Sequence, residues 1–207
     1  MDYASIITAL GGVLGVVSTI VVAWFGYNQF TKNKMTELKI KKIEEQDKEE
    51  LKRRSDISMV IFGELWNLLY ETGADRVYIV QPHPLGDEEM LTIYFEVKHK
   101  GIEPMRPHIQ ELKIREVDAF SEQLAKEEFM YLMDLEEQVS DRYAQSIFAT
   151  YGCKHALVRR LANTKYKWTG SIFCEYMDDM NIDRETAKQA LSHAATNIQY
   201  ILPEFRN

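Results

Sequence analysis

The sequence predicts an α+β domain carried behind a single N-terminal transmembrane helix and a charged linker helix. Three observations predict it. Residues 4–25, ASIITALGGVLGVVSTIVVAWF, contain no charged side chain. Residues 33–55 are rich in Lys and Glu and contain neither Gly nor Pro. From residue 56 onward the apolar spacing alternates between a helical period and a period of two. A chain of 207 residues holds one such domain plus an accessory element.

The apolar run sets the organisation of the rest. As a helix its 22 residues extend about 33 Å, which matches a hydrocarbon core of roughly 30 Å. Secretory h-regions are shorter and follow basic residues, whereas Met1, Asp2 and Tyr3 precede this run. Lys32, Lys34, Lys39, Lys41 and Lys42 follow it, and no Lys or Arg comes before it. The positive-inside rule therefore predicts a single-pass protein of the inner (cytoplasmic) membrane, with its N-terminus outside and residues 56–207 in the cytoplasm. Trp24, Phe25 and Tyr27 stand where an interfacial aromatic belt is expected. Gly11 and Gly15 form a G-x-x-x-G face suited to close helix packing, which points to a homo-oligomer.

Residues 1–30 are expected to form the N-terminal segment that holds the transmembrane helix, and the linker that follows, residues 31–55, a solvated helix. Glu37–Lys41, Glu44–Lys48, Glu49–Arg53 and Glu50–Arg54 are i,i+4 pairs of favourable order. Ile40 and Ile43 begin a coiled-coil seam, but the next seam positions are Asp47 and Glu50, so the seam ends there. Residues 32–54 carry nine basic and six acidic side chains, and everything from Asp56 onward carries 16 basic against 25 acidic. An acidic domain is repelled by phosphate backbones, which excludes nucleic acid as the expected partner. Two cysteines, Cys153 and Cys174, are too few for a disulfide scaffold and suit a reducing compartment.

Within the domain, MVIFGELWNLLY places Met59, Phe62, Leu65, Trp66 and Leu69 on one helical face, ended by Thr72-Gly73. RVYIVQ (76–81) reads as a strand stopped by Pro82-His83-Pro84, with a turn at Gly86-Asp87. LTIYFEVK (91–98) alternates, with Leu91, Ile93, Phe95 and Val97 on one face, as a half-buried strand does. Residues 118–151 are expected to be helical, with Phe120, Leu124, Leu132, Leu135, Val139 and Tyr143 as the apolar stripe. CKHALVRRLAN and KWTGSIFCEYM read as adjacent strands around a turn at Asn163-Thr164. A last amphipathic helix begins at a cap, Asp183 or Asn181, and presents Ala187, Ala190, Leu191, Ala194, Ala195, Ile198 and Ile201. Strands gathered into an antiparallel sheet with helices at its ends give the α+β class.

That element order resembles a GAF domain, the small-molecule-sensing α+β module related to PAS domains. The likeness rests on the opening helix, on RVYIVQ, on KWTGSIFCEYM with Gly170-Ser171-Ile172, and on the Ala-rich closing helix ETAKQALSHAATNIQYIL. The resemblance covers residues 56–203 and implies a ligand cavity between the sheet and the middle helices. Its expected liners are Gln81, Tyr94, Phe129, Tyr151, His155, Arg159 and Trp168, aromatic and hydrogen-bonding types suited to a planar ligand. The motif of cyclic-nucleotide-binding members, the bilin-attachment cysteine and the three-cysteine arrangement of the sulfoxide reductases have no counterparts here, so no cofactor is expected.

Catalysis is not expected either. Cys153 and His155 are two apart, and Cys174 lies on the neighbouring strand, but a zinc site needs a fourth ligand. Asp134, Glu136, Glu137 and Asp141 read as a solvated face and helix caps, and no phosphate loop or nucleophile elbow is present. The leading expectation is a membrane-anchored, non-enzymatic sensor or interaction module that binds a small molecule or a cytoplasmic protein partner. The chain stops a few residues past its last helix, so a signal would pass to another protein or back along residues 31–55. The alternative is a small phage- or bacterium-encoded membrane-active (holin-like) or scaffold protein whose transmembrane helix is the working part.

Overall fold

A computed structural model describes residues 3–202, apart from the side chains of most of residues 3–38. The chain divides into two units, Met1–Arg54 and Ser55–Asn207. The first is helical: helix α1 spans Tyr3–Thr72 and so continues into the second unit. The side chains of residues 4–23, including Gly11 and Gly15, lie outside the described residues, and so does the test of an anchor there. Among the described residues no helix is long and apolar enough to cross a membrane. Residues 39–56 are exposed along their whole length, as a solvated charged helix requires, and Arg54 pairs with Glu50 at 2.5 Å.

The second unit is α+β, as predicted. Strands β1 (Arg76–Leu85), β2 (Glu88–Lys98), β3 (Leu112–Lys113), β4 (Phe129–Leu132), β5 (His155–Ala162) and β6 (Trp168–Tyr176) form one sheet. Its order is β3-β2-β1-β6-β5-β4, antiparallel throughout. Helices α2 (Asp118–Lys126), α3 (Leu135–Gln138), α4 (Arg142–Thr150) and α5 (Arg184–Ile198) complete it.

The sheet is buried on both faces, not on one. On the first face lie the end of α1, through Leu65 and Leu69, and α5, through Ala187, Ala190, Leu191 and Ala194. These cover Val77, Ile79, Leu157, Ile172 and Cys174. On the second face α2 and α4 cover Tyr78, Val80, Val158 and Phe173. A register shift between Ile79 and Val80 leaves Tyr94 as an extra residue in β2. This β-bulge reverses the strand's alternation. Leu91 and Ile93 therefore face the second core, while Phe95 and Val97 face the first. The strict alternation of 91–98 hides this, because all four residues are buried either way.

Several local expectations hold. Gly73, at φ +68°, ends α1 in the left-handed conformation that glycine adopts without strain. Gly86-Asp87 makes the two-residue hairpin between β1 and β2. The Asp183 carboxylate caps α5 by accepting from the backbone N–H groups of Glu185 and Thr186 at 3.0 and 3.1 Å. Asp134 and Asp141 cap α3 and α4 in the same way.

Others are corrected. The buried stripe of α1 is Ile61, Leu65, Leu68 and Leu69, whereas Met59 and Trp66 are 63% and 41% exposed. Tyr143, expected in the middle stripe, is exposed as well. The prolines do not stop β1, which runs on to Leu85 paired with β2. Beyond Val80 it has no pairing to β6, and an edge tolerates residues that lack an N–H. Residues 129–132, expected to be helical, form β4 because they pair with β5, from Phe129 opposite Arg159 to Leu132 opposite Ala156.

The glycine of the late strand has a steric reason. A Cβ on Gly170 would lie 2.8 Å from the Val80 carbonyl oxygen and 3.2 Å from Gln81 Cγ. Gly170→Ala is expected to cost about 1–3 kcal/mol, since the obstacle is backbone and cannot rotate away. Chemical denaturation of the variant beside the parent chain measures it.

Candidate functional site

The second face of the sheet carries a partly open apolar cavity of about 40 Å³. Its floor is sheet: Tyr78 and Val80 from β1, Leu91 from β2, and Phe173 from β6. Its roof is Phe120 and Leu124 of α2 with Ala144 and Phe148 of α4. Ile109, from the segment between β2 and β3, and Leu112 of β3 line one side. Rings dominate the box. Tyr78 stacks on Phe173 with centroids 5.0 Å apart and planes 7° off parallel. Phe120 meets Phe148 edge-on at 5.7 Å, and both contact Phe173. Aromatic pairs in such geometries add about 0.5–1.5 kcal/mol beyond area burial.

Next to this box the two central strands bury an ion pair. Arg76 and Glu175 stand directly opposite each other on β1 and β6, and both side chains are fully buried. Arg76 donates from Nε to Glu175 Oε2 at 2.9 Å and also from Nη2 to the same oxygen. The Tyr78 hydroxyl donates to Glu175 Oε1, so the one polar group of the cavity floor is turned out of the cavity. Burial alone lowers the pKa of Arg76, but the Glu175 carboxylate raises it overall, which keeps the guanidinium charged. Burial pushes Glu175 up against the opposing pull of Arg76 and of the Tyr78 hydrogen bond.

Residues 99–111 strap across this end of the sheet. Arg76 Nη1 donates to the Glu103 carbonyl. The Glu96 carboxylate accepts from the backbone N–H groups of Met105 and Arg106, at 2.6 and 3.1 Å. Ile93 N–H donates to the Ile109 carbonyl at 3.0 Å, and Met105 of the strap is fully buried. Two charged side chains of the sheet thus hold a segment that lacks regular structure.

None of the seven expected liners borders the cavity. Tyr94 and Phe129 pack against the first core, under α1 and α5. Gln81 and Arg159 lie two residues beyond Ile79 and Leu157 on their strands and so share that face. The Gln81 amide donates to the Thr169 carbonyl at 3.4 Å, and Arg159 pairs with Glu128 at 2.7 Å. Tyr151 and Trp168 adjoin the second core. Tyr151 lies against His108, and Trp168 donates from Nε1 to Ser171 Oγ at 3.1 Å. His155 is half-buried at the rim, where its Nδ1 reaches the Met133 carbonyl at 2.7 Å.

The two cysteines fall on opposite faces, Cys153 with the second core and Cys174 with the first. Among the described residues no cluster suited to a metal ion occurs. Burial raises the Cys153 thiol well above its usual range and pushes Cys174 up to about 12. Reaction needs the thiolate. Near pH 8.5, where an ordinary cysteine is about half ionised, neither thiol of the folded chain is expected to react with Ellman's reagent. Both should react once guanidinium unfolds the chain.

No family model matches the chain, and no curated protein does. Solved structures do. The GAF domain of the Thermosynechococcus elongatus receptor PixJ, in its blue-light-absorbing form, superposes with a TM-score of 0.57 at 13% identity. The match covers 72% of this chain and 86% of that one. The fold is GAF-like. A bacteriophytochrome of R. palustris matches at 0.54 and 13% identity, over 70% of this chain and 33% of its own. The phycocyanobilin-bound GAF domain of a cyanobacterial phytochrome matches at 0.52 and 15%, over 69% and 84%.

A bilin of the kind in that last structure does not fit the GAF-like cavity described above. Pockets for drug-sized ligands run to roughly 300–1,000 Å³, against about 40 Å³ here. No cysteine borders the cavity to hold one covalently.

Proposed function

We propose that the chain is a membrane-anchored, non-enzymatic sensor or interaction module whose GAF-like domain faces the cytoplasm. The observation that carries this reading is the apolar cavity between the sheet and helices α2 and α4. No nucleophile or carboxylate borders it, and its one hydroxyl is committed to Glu175. Such a box suits binding rather than bond-making. The uncharged stretch 4–25, followed by five lysines within about 20 residues, supports the anchor and its orientation. Gly11 and Gly15 supply a face for self-association within the bilayer.

Two measurements on the full chain test this. After expression in bacteria the protein should stay in the membrane pellet through carbonate washing, and protease should reach residues 56–207 only in inside-out vesicles. Recovery in the soluble fraction overturns the anchor. In thermal shift against a metabolite panel, a ligand at about 100 times its Kd adds roughly 2.7 kcal/mol of stability. Failure of every compound, together with failure to retain any partner in a membrane pulldown, overturns the sensor.

A further inference from the structure

We propose that the guest of this cavity is a small apolar molecule of a few heavy atoms, admitted without any hydrogen bond to the protein. The inference rests on the sensor reading above and names the ligand class that reading leaves open. Nearly the whole lining is hydrocarbon or ring, and the Tyr78 hydroxyl points away to Glu175. A water molecule against this lining would forgo most of its two to four hydrogen bonds, so the box disfavours water. A nucleotide or an amino acid would lose its hydration with nothing in return, a cost of several kcal/mol per polar group. An apolar guest loses nothing of that kind and gains dispersion contacts with four rings.

Size points the same way. About 40 Å³ exceeds the roughly 10–15 Å³ that a single water molecule requires. Apolar cavities of about 150 Å³ lined by Leu, Ile and Phe take up xenon or benzene while staying free of water. The present box suits the smaller end of that range. Its side wall at Ile109 belongs to the 99–111 strap, whose pins on Glu96 and Arg76 lie outside the cavity. Displacing that wall widens the box without breaking a strand pairing of the central sheet.

The test uses xenon as the probe, on full-length chain in nanodiscs with isotope-labelled Ile, Leu and Val methyl groups. Under xenon pressure the methyls of Val80, Leu91 and Leu124 are expected to shift and saturate. Those of Ile79 and Leu191, on the other face, should not move, and helium at equal pressure should move neither set. Ala144→Phe fills the box and should abolish the response. Where that variant fails to fold, Leu124→Ala serves instead, because its enlarged box should then admit benzene. Unmoved cavity methyls in the parent chain overturn the proposal. A polar metabolite that shifts those same methyls while xenon does not overturns it too, yet leaves the sensor reading standing. Silence to xenon and to the metabolite panel alike, with no partner retained in the membrane pulldown, removes both.

Discussion

Arg76→Met is expected to lower the free energy of unfolding by about 3–5 kcal/mol, because it strands the Glu175 carboxylate in a fully buried site. Denaturant unfolding of the full chain reads the loss. The pair itself is not the source of that figure. Taking two charges out of water offsets much of their attraction, and the penalty appears when one partner is removed. Arg76→Met combined with Glu175→Gln leaves an acceptor for the Tyr78 hydroxyl and no stranded charge, so it should recover most of the loss. Equal destabilisation of the single and double variants would assign the effect to lost packing instead.

The pH dependence of the single variant carries a definite sign. Burial raises Glu175 and Arg76 opposes it, so removing Arg76 raises the folded-state pKa further. A carboxyl whose folded pKa lies above its unfolded value contributes stability below that unfolded value. The contribution is lost as pH rises through the folded pKa. The deficit of Arg76→Met should therefore shrink as pH falls toward the ordinary Glu value of about 4.3. A deficit that grows on acidification contradicts this.

Phe173→Ala is expected to cost a similar amount, about 3–5 kcal/mol, through lost transfer energy and the void it opens. Phe173 is 2% exposed and touches Tyr78, Phe120 and Phe148. Its removal should merge the ring's volume with the existing box. Benzene should then restore part of the lost stability in a saturable way, and should do little for the parent chain. Phe173→Leu, which keeps most of the volume, separates loss of the ring from loss of bulk.

The closing helix was legible because its cap and its Ala stripe are local facts. Asp183 holds the first turn, and Ala187, Ala190, Leu191, Ala194 and Ala195 are all buried. The β5–β6 pair was legible for the same reason, with Asn163 ordering its turn by accepting from the Lys165 and Lys167 N–H groups. Strand β4 was not, since four residues take that form only through pairing with β5. Nor was the bulge at Tyr94, which decides the face of every residue around it yet leaves no mark on an apolar run. Side-chain type alone does not fix a face, so the seven expected liners scatter: Tyr94 and Phe129 adjoin the first core, Tyr151 and Trp168 the second. Tyr78 and Phe173 sat unremarked inside strands read as plain core. One signal was available for the ion pair: Arg76 opens RVYIVQ and Glu175 interrupts IFCEYM, opposite charges in two runs predicted to be buried.

Strands β1 and β6 carry both cores on alternate residues. Val77 and Ile79 lie beneath α1 and α5, and Tyr78 and Phe173 lie beneath the cavity. Close-packed interiors have little slack to absorb added volume. The sheet is thus a wall shared by the two cores, and a guest of the proposed kind that pressed on its cavity side would bear on Leu65 and Leu69 of α1. Under the sensor proposal, occupancy on one side would reach the helix resting on the other through packing alone, with no charge or covalent bond changing.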